Sequence, residues 1–304
     1  MASGNFNRRG FLNGLISAGA VSSPLLLAAE DTKKPLREPV FRVSKKVDRN
    51  TEVENSHPLD PALRIAREGL MEMQKNIVDY TATMIKRERV DGEVSDVQYI
   101  FIKVRNRKLD AAGNLKTPFS AYMYFLKPKD FRGREALYVE GQNNGKMIAH
   151  EAPHTLLFKT VGSVWLPPDG VIAMKGQRYP ITEMGIENLV VQLLTRGARD
   201  RKAGPCEVEF KSGAKINGRV CTVIEVRHDD RKPEYDFHKA QIFVDDEANV
   251  PIRYAAYDWP TTPGGKLQVI EEYTYIDLKL NVGLEDIEFD WQNPEYNFVR
   301  KKAN

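Results

Sequence analysis

The chain has 304 residues, of which 41% are hydrophobic, 29% charged and 9% aromatic, and its formal charge is +3, from 45 Lys plus Arg against 42 Asp plus Glu. That length and apolar content suffice for a buried core, which excludes a fully disordered chain, and the near balance of charge argues against a dedicated nucleic-acid binder. The two cysteines exclude a disulfide-dense scaffold and a four-cysteine zinc site, and beyond residue 30 no apolar run approaches the roughly 18 residues of a membrane-spanning helix.

The first segment has the layout of an address. Asn7-Arg8-Arg9-Gly10-Phe11-Leu12 sets paired arginines before an apolar pair, and Gly14 to Ala29 follows as a weakly apolar stretch with Ser17, Ser22, Ser23 and Pro24. Charge, a short apolar run and small residues ending at Leu27-Ala28-Ala29 resemble a twin-arginine export signal over 1–29, which implies a periplasmic or otherwise exported protein. No cysteine lies near that junction, which argues against a lipid anchor, and loss of the two arginines takes the charge from +3 to +1. Residues 30–56 alternate in charge around Pro35 and Pro39 and read as a flexible charged tether.

Asp60-Pro61 marks a helix start, with Asp60 as the cap. Leu63, Ala66, Leu70, Met73 and Ile77 recur at spacings of three and four, one stripe of an amphipathic helix ending near Tyr80. From Tyr80 the period becomes two. Asp91-Gly92 offers a turn, Val97 to Arg105 forms a strand, and Phe119 to Phe125 puts Phe119, Ala121, Met123 and Phe125 on one face with Ser120, Tyr122 and Tyr124 on the other. Residues 136–140 and 146–150 flank a hairpin turn at Gly141 to Gly145. Thr182 is placed to cap a second helix, in which Ile186, Leu189, Val190 and Leu193 share a face and Gly197 closes the run. Strands resume over 207–210, 219–227, 240–245, 251–257 and 267–280, with turns at Asn217-Gly218 and at Asp245 to Asn249. Helix, strands, helix and strands in an antiparallel series give an α+β fold with a curved antiparallel sheet.

The order of elements resembles the LolA/LolB family of periplasmic lipoprotein carriers, in a divergent exported branch described only as a domain of unknown function. The segments that carry the resemblance are Asp79-Tyr80-Thr81-Ala82-Thr83, the hairpin region Gly133 to Gly141, the helix start at Pro180-Ile181-Thr182-Glu183-Met184, and Lys215-Ile216-Asn217-Gly218-Arg219. It covers residues 57–290 and leaves 291–304 as a C-terminal tail. The resemblance implies an open, incomplete β-barrel covered by helices, wrapped around a hydrophobic cavity for a lipid or acyl chain. The carriers' cavity-mouth arginine has three candidates here: Arg87, Arg89 and Arg105.

Met84, Ile100, Ile102, Phe119, Met123 and Phe125 are the candidate cavity lining, with sheet core beneath the helices as the alternative for each. Lys86-Arg87-Glu88-Arg89 reads as a solvated face, or functionally as a rim that binds an acidic headgroup or an acidic partner. His150-Glu151-Ala152-Pro153-His154 has the letters of a zinc-peptidase motif, but Pro153 would break the helix that places both histidines on one metal, so two loop histidines are expected. Cys206 and Cys221, in an oxidising compartment, favour a disulfide closing a loop of 15 residues, worth about 3 kcal/mol. A tight turn at Asn217-Gly218 instead sets Cys221 opposite Ala214, and a wider loop or a bulge near Ser212-Gly213 would be needed to bring the cysteines together. Asp229-Asp230 and Asp245-Asp246 fall at turns, while Glu271 and Glu272 point to opposite faces of a strand. No nucleophile elbow, phosphate loop or dinucleotide fingerprint is present. The leading expectation is an exported, non-catalytic binding protein for a hydrophobic ligand, with no cofactor or metal. Its rivals are an envelope interaction protein whose barrel is filled by its own side chains, meeting partners through Tyr122, Tyr124 and the 86–89 run, and an enzyme with an unfamiliar site.

Overall fold

A computed structural model describes residues 57–298. The expected export signal and tether, 1–29 and 30–56, lie outside the described residues. Helix α1 spans Asp60–Asn76, with Pro61 in its first turn and Leu63, Gly69 and Met73 buried. Leu59, not Asp60, is the N-cap residue; the Asp60 carboxylate accepts from the His57 backbone N–H at 3.0 Å and pairs with Arg201 at 2.6 Å. The helix stops before Tyr80 because Ile77 is already extended, and Tyr80 faces inward from the first strand.

The strands are β1 (Asp79–Val90), β2 (Glu93–Val94), β3 (Gln98–Arg105), β4 (Lys108–Leu109), β5 (Leu115–Thr117), β6 (Ser120–Lys127), β7 (Glu135–Val139), β8 (Met147–His150) and β9 (Val164–Leu166), then β10 (Glu207–Ile216), β11 (Arg219–Arg227), β12 (Lys239–Asp245), β13 (Pro251–Asp258) and β14 (Gln268–Leu280). Twelve of them form one antiparallel sheet in the order β10-β11-β12-β13-β14-β1-β3-β6-β7-β8-β9, with β2 paired to β1 and β4–β5 a separate hairpin. The last strand in sequence lies beside the first, so the chain starts and ends its sheet at the centre, and the edges β9 and β10 stay unpaired with each other. Register shifts within the β1–β14, β3–β6, β10–β11, β12–β13 and β13–β14 pairs are the irregularities that bend a wide sheet. The architecture is α+β, an open barrel-like sheet with helices on its inner face.

The alternation expected in β6 holds. Ala121, Met123 and Phe125 join Ile100, Ile102 and Val104 of β3 in the inner cluster, while Tyr122 lies in an outer cluster with Leu137, Val139 and Ile148. That outer face is not a free contact surface, contrary to the reading of Tyr122 as one. Part of the segment expected as a tail folds back over it: Phe298 is buried there beside Phe289, which precedes that segment, Tyr296 stacks on Tyr122 at 4.1 Å, and the Asn297 side chain donates to the fully buried Glu135 at 2.6 Å.

Helix α2 (Leu156–Val161) and the short α3 (Val171–Met174) flank β9, and α4 spans Ile186–Ala203. Two expectations about α4 fail for steric reasons. Gly185, at φ 110°, is its N-cap in place of Thr182, and a Cβ there would lie 2.8 Å from the Tyr80 hydroxyl, which accepts from the Ile186 N–H. Gly197 does not end the helix; it sits where α1 crosses, and a Cβ would stand 2.7 Å from Leu63 Cδ2.

Candidate functional site

Between the inner face of the sheet, the segment carrying α2, β9 and α3, and one face of α4 lies a cavity of about 960 Å³ with a predominantly apolar wall. It is at the upper end of the roughly 300–1,000 Å³ of small-molecule sites. The wall changes character across the sheet. On the β6–β9 side Met123, Phe125, Ala136, Met147, Ala149 and Leu166, with Phe131 and Val161 closing over them, make an apolar patch bordered by Arg134, Glu135, His150 and Glu151. Inward residues at alternate positions of antiparallel strands meet there, and the small Ala136 and Ala149, opposite each other in register, leave the space open. At the mouth, Leu157, Val171 and Ile172 line the cavity while 55%, 91% and 73% exposed.

On the β13, β14 and β1 side the wall is polar. Lys86 and Glu88 point inward from β1 beside Met84, forming an ion pair at 3.0 Å with both side chains buried. Lys86 also donates to the Gln177 amide oxygen, and Glu88 accepts from the Arg178 N–H at 3.2 Å and from the Tyr273 hydroxyl. Glu271 of β14 takes Arg196 of α4 at 2.9 Å and Arg178 at 3.2 Å. Arg196 in turn donates to the Tyr254 hydroxyl at 3.0 Å and to Tyr179. Burial, reinforced by the Glu271 charge, pushes the Tyr179 hydroxyl up to about 12 and raises Tyr254 and Tyr273 well above the usual phenol range. All three phenols therefore stay protonated. The network ties the return leg of the covering segment, Gln177 to Tyr179, and helix α4 to the sheet.

Of the residues singled out in the sequence, Met84, Met123 and Phe125 line the cavity. Ile100 and Ile102 are fully buried in the same cluster, and Phe119 packs on its margin. The charge run is not a solvated face. Lys86 and Glu88 are 5% and 2% exposed because they continue the inward alternation of Met84. Their neighbours point the other way: Arg87 is in register with Glu272, and Arg89 pairs with Asp258 at 2.6 Å. Arg105 sits at a separate groove, holding Asp286 at 2.6 Å and lying over the Phe289 ring. None of the three arginines borders the cavity. Arg178 and Arg196 are network members that the sequence does not single out, and Glu271, considered there only as one of a carboxylate pair, is the acid they share. Glu271 and Glu272 do face opposite sides, but both are buried, the second against Arg253 at 3.2 Å.

The disulfide expected between Cys206 and Cys221 does not form; both thiols are free. Cys221 stands opposite Ala214 and Glu207 opposite Arg227, so the cysteines are separated by about seven residues along the ladder, roughly 23 Å at ~3.3 Å per residue. The register shift between Lys211 and Ala214 is a bulge where one was considered, but it does not bridge that distance. Burial pushes each thiol up to about 12. His150 ends β8 and His154 is exposed in the loop after it. The His150 ring lies 3.6 Å from Glu135 and packs on Phe158 and Phe298. Among the described residues no group of three or more His, Cys, Asp or Glu side chains is arranged to hold a metal ion, and no helix is long and apolar enough to cross a membrane.

A family profile described as "Protein of unknown function (DUF1571)" matches residues 77–298. No curated protein matches the sequence. The chain is similar to solved structures at low identity. A putative outer membrane lipoprotein-sorting protein domain from Vibrio parahaemolyticus is 16% identical, with 75% of this chain and 95% of that one covered and a TM-score of 0.35. A LolA superfamily protein from Nitrosomonas europaea is 11% identical, with coverage of 74% and 97% and a TM-score of 0.29. The MucA/MucB complex of Pseudomonas aeruginosa provides a chain 12% identical, with coverage of 78% and 63% and a TM-score of 0.42. These superpositions are loose, and what the cavity can hold is read from its own walls.

Proposed function

The chain belongs to the DUF1571 family, and from its cavity we propose that it is an exported, non-catalytic carrier that shelters the hydrocarbon chain of a lipid or lipoprotein between sheet and helices. The observation that carries this reading is the 960 Å³ space with its apolar wall. A barrel filled by its own side chains would not leave it, so the cavity favours the carrier over the interaction protein. The resemblance of residues 1–29 to a twin-arginine signal supports a periplasmic setting for such a carrier.

Burial of ten methylenes contributes about 8 kcal/mol at ~0.8 kcal/mol each, within the ~4–15 kcal/mol that association costs. Short chains are therefore not retained, and a long chain held along the wall is. Entry passes between α2 and α3, where Leu157, Val171 and Ile172 carry apolar surface from the interior to solvent.

The test is stoichiometric uptake of an apolar fluorescent probe by the folded protein and by Ala149→Phe. The larger side chain fills the apolar end without burying a charge. Wild-type protein is expected to bind one probe, and the variant at least ten-fold more weakly at an unchanged or higher Tm. Equal uptake by both would put the probe elsewhere and count against the cavity.

A further inference from the structure

Helix α2 stands at the cavity mouth with little to hold it. Leu157 and Val161 line the cavity, yet Leu156, Leu157 and Val161 are exposed and none of the helix's six residues is buried. An element with so few buried apolar contacts lies at the low-stability end of a fold, where local opening is easiest. Phe158 seats it on the sheet: its ring meets the His150 ring edge-on, with centroids 4.9 Å apart. His150 ends β8 with its side chain fully buried and its Nδ1 2.7 Å from the Glu151 carbonyl oxygen. Together with Glu135 it also borders the cavity.

The carboxy-terminal segment reaches the same histidine from the outer face. Glu135, in register with His150, is a fully buried carboxylate, so both of its oxygens need donors. The Tyr122 hydroxyl donates to one at 3.0 Å. Asn297 donates to the other, through its side-chain amide at 2.6 Å and its backbone N–H at 3.2 Å. Phe298 follows, buried, with its ring edge-on to His150 at a centroid distance of 5.4 Å. The imidazole is therefore shared by Phe298 of the carboxy-terminal segment and Phe158 of the cavity cover. Withdrawal of Asn297 would strand a buried carboxylate, and that penalty keeps the segment seated.

We propose that the carboxy-terminal segment is a latch for α2. Asn297 and Phe298 fix Glu135 and His150, His150 positions Phe158, and displacement of the segment frees α2 to move off the cavity mouth. The consequence for ligand passage rests on the carrier reading; the chain of contacts from Phe298 through His150 to Phe158 does not.

Amide hydrogen exchange of the folded protein tests the latch without a ligand, and stopped-flow release of N-phenyl-1-naphthylamine tests its consequence. In Phe298→Ala the α2 amides, from Phe158 to Gly162, are expected to exchange at least ten-fold faster than in wild type. The probe is expected to leave about ten-fold faster. In a Phe158→Ala background the same substitution is expected to change neither rate, because the chain of contacts is already cut. Asp245→Asn, at the β12–β13 turn in the other half of the sheet, is expected to leave α2 exchange unchanged. Should Phe298→Ala fail to fold, Asn297→Ala takes its place. The latch is overturned if α2 is unprotected in wild type, or if its exchange is unchanged in the folded variant. It is equally overturned if Asp245→Asn accelerates α2 as much, or if the effect persists in Phe158→Ala. Faster exchange with unchanged release overturns its role at the mouth. Absence of probe uptake by wild-type protein overturns the carrier reading, and exchange then decides the latch alone.

Discussion

Asp245 closes the turn between β12 and β13 with a single carboxylate. It accepts from the N–H groups of Glu247 and Ala248 at 2.9 and 3.0 Å and pairs with Arg219 at 2.7 Å, all at 1% exposure. Burial pushes its pKa up, but the backbone donors and the guanidinium more than offset this, and the net direction is down. A carboxylate depressed in the folded state adds stability that is present above its unfolded pKa, near 4, and lost as pH falls through the folded value. Asp245→Asn is expected to be about 1–3 kcal/mol less stable than wild type at pH 7, with the gap closing below about pH 4. Denaturant unfolding at both pH values measures this, and a gap independent of pH would place the loss elsewhere. At the same scale, Lys86 and Glu88 show what residue-level reading can miss. The alternation Met84, Lys86, Glu88 is legible in the sequence, but a run of four charged residues has the composition of a solvated face. A buried lysine needs a partner, and the glutamate two positions on supplies one from the same face.

At the scale of elements, the strands were legible because their period of two, their Asn-Gly and Asp-Gly turns and their β-formers agree with one another. The register of β10 against β11 followed from the Asn217-Gly218 turn, and it rules out the disulfide that compartment chemistry favoured. Helices α2 and α3 were not legible. They are short, and their apolar side chains Leu156, Leu157, Val171 and Ile172 are exposed, so no buried stripe marks them. Gly197 misled because glycine inside a helix resembles a stop signal, whereas here it makes room for a crossing helix. Replacing it with alanine gains about 1 kcal/mol of helix propensity but drives a methyl to 2.7 Å from Leu63 Cδ2, and overpacking costs ~1–3 kcal/mol. Gly197→Ala is therefore expected to be net destabilising by about 1 kcal/mol in denaturant unfolding. A stabilised variant would show that Leu63 moves aside freely and that the α1–α4 crossing is loose.

For the molecule as a whole, the position of the first and last strands side by side sets the division of labour. Helices α1 and α4 pack on the β10–β13 half through Leu63, Val226, Ala240 and neighbouring side chains, and the α2–α3 segment covers the other half without filling it. Beneath that cover the cavity forms, and the polar clamp from β1 and β14 to Gln177, Arg178 and Arg196 marks where the cover is fixed. The fold class and half of the proposed lining could be read from the chain. The charged wall could not, because it assembles Lys86, Arg178, Arg196 and Glu271 from segments far apart in sequence, and a sheet that leaves its edges unpaired does not announce in its strand pattern how much of its inner face stays uncovered. The most direct measurement is native mass spectrometry, with lipid extraction, of the mature protein purified from the periplasm of an exporting host. The carrier reading expects a discrete added mass that extracts as an acyl lipid. A bare polypeptide mass from a folded sample that also takes up no apolar probe would contradict it.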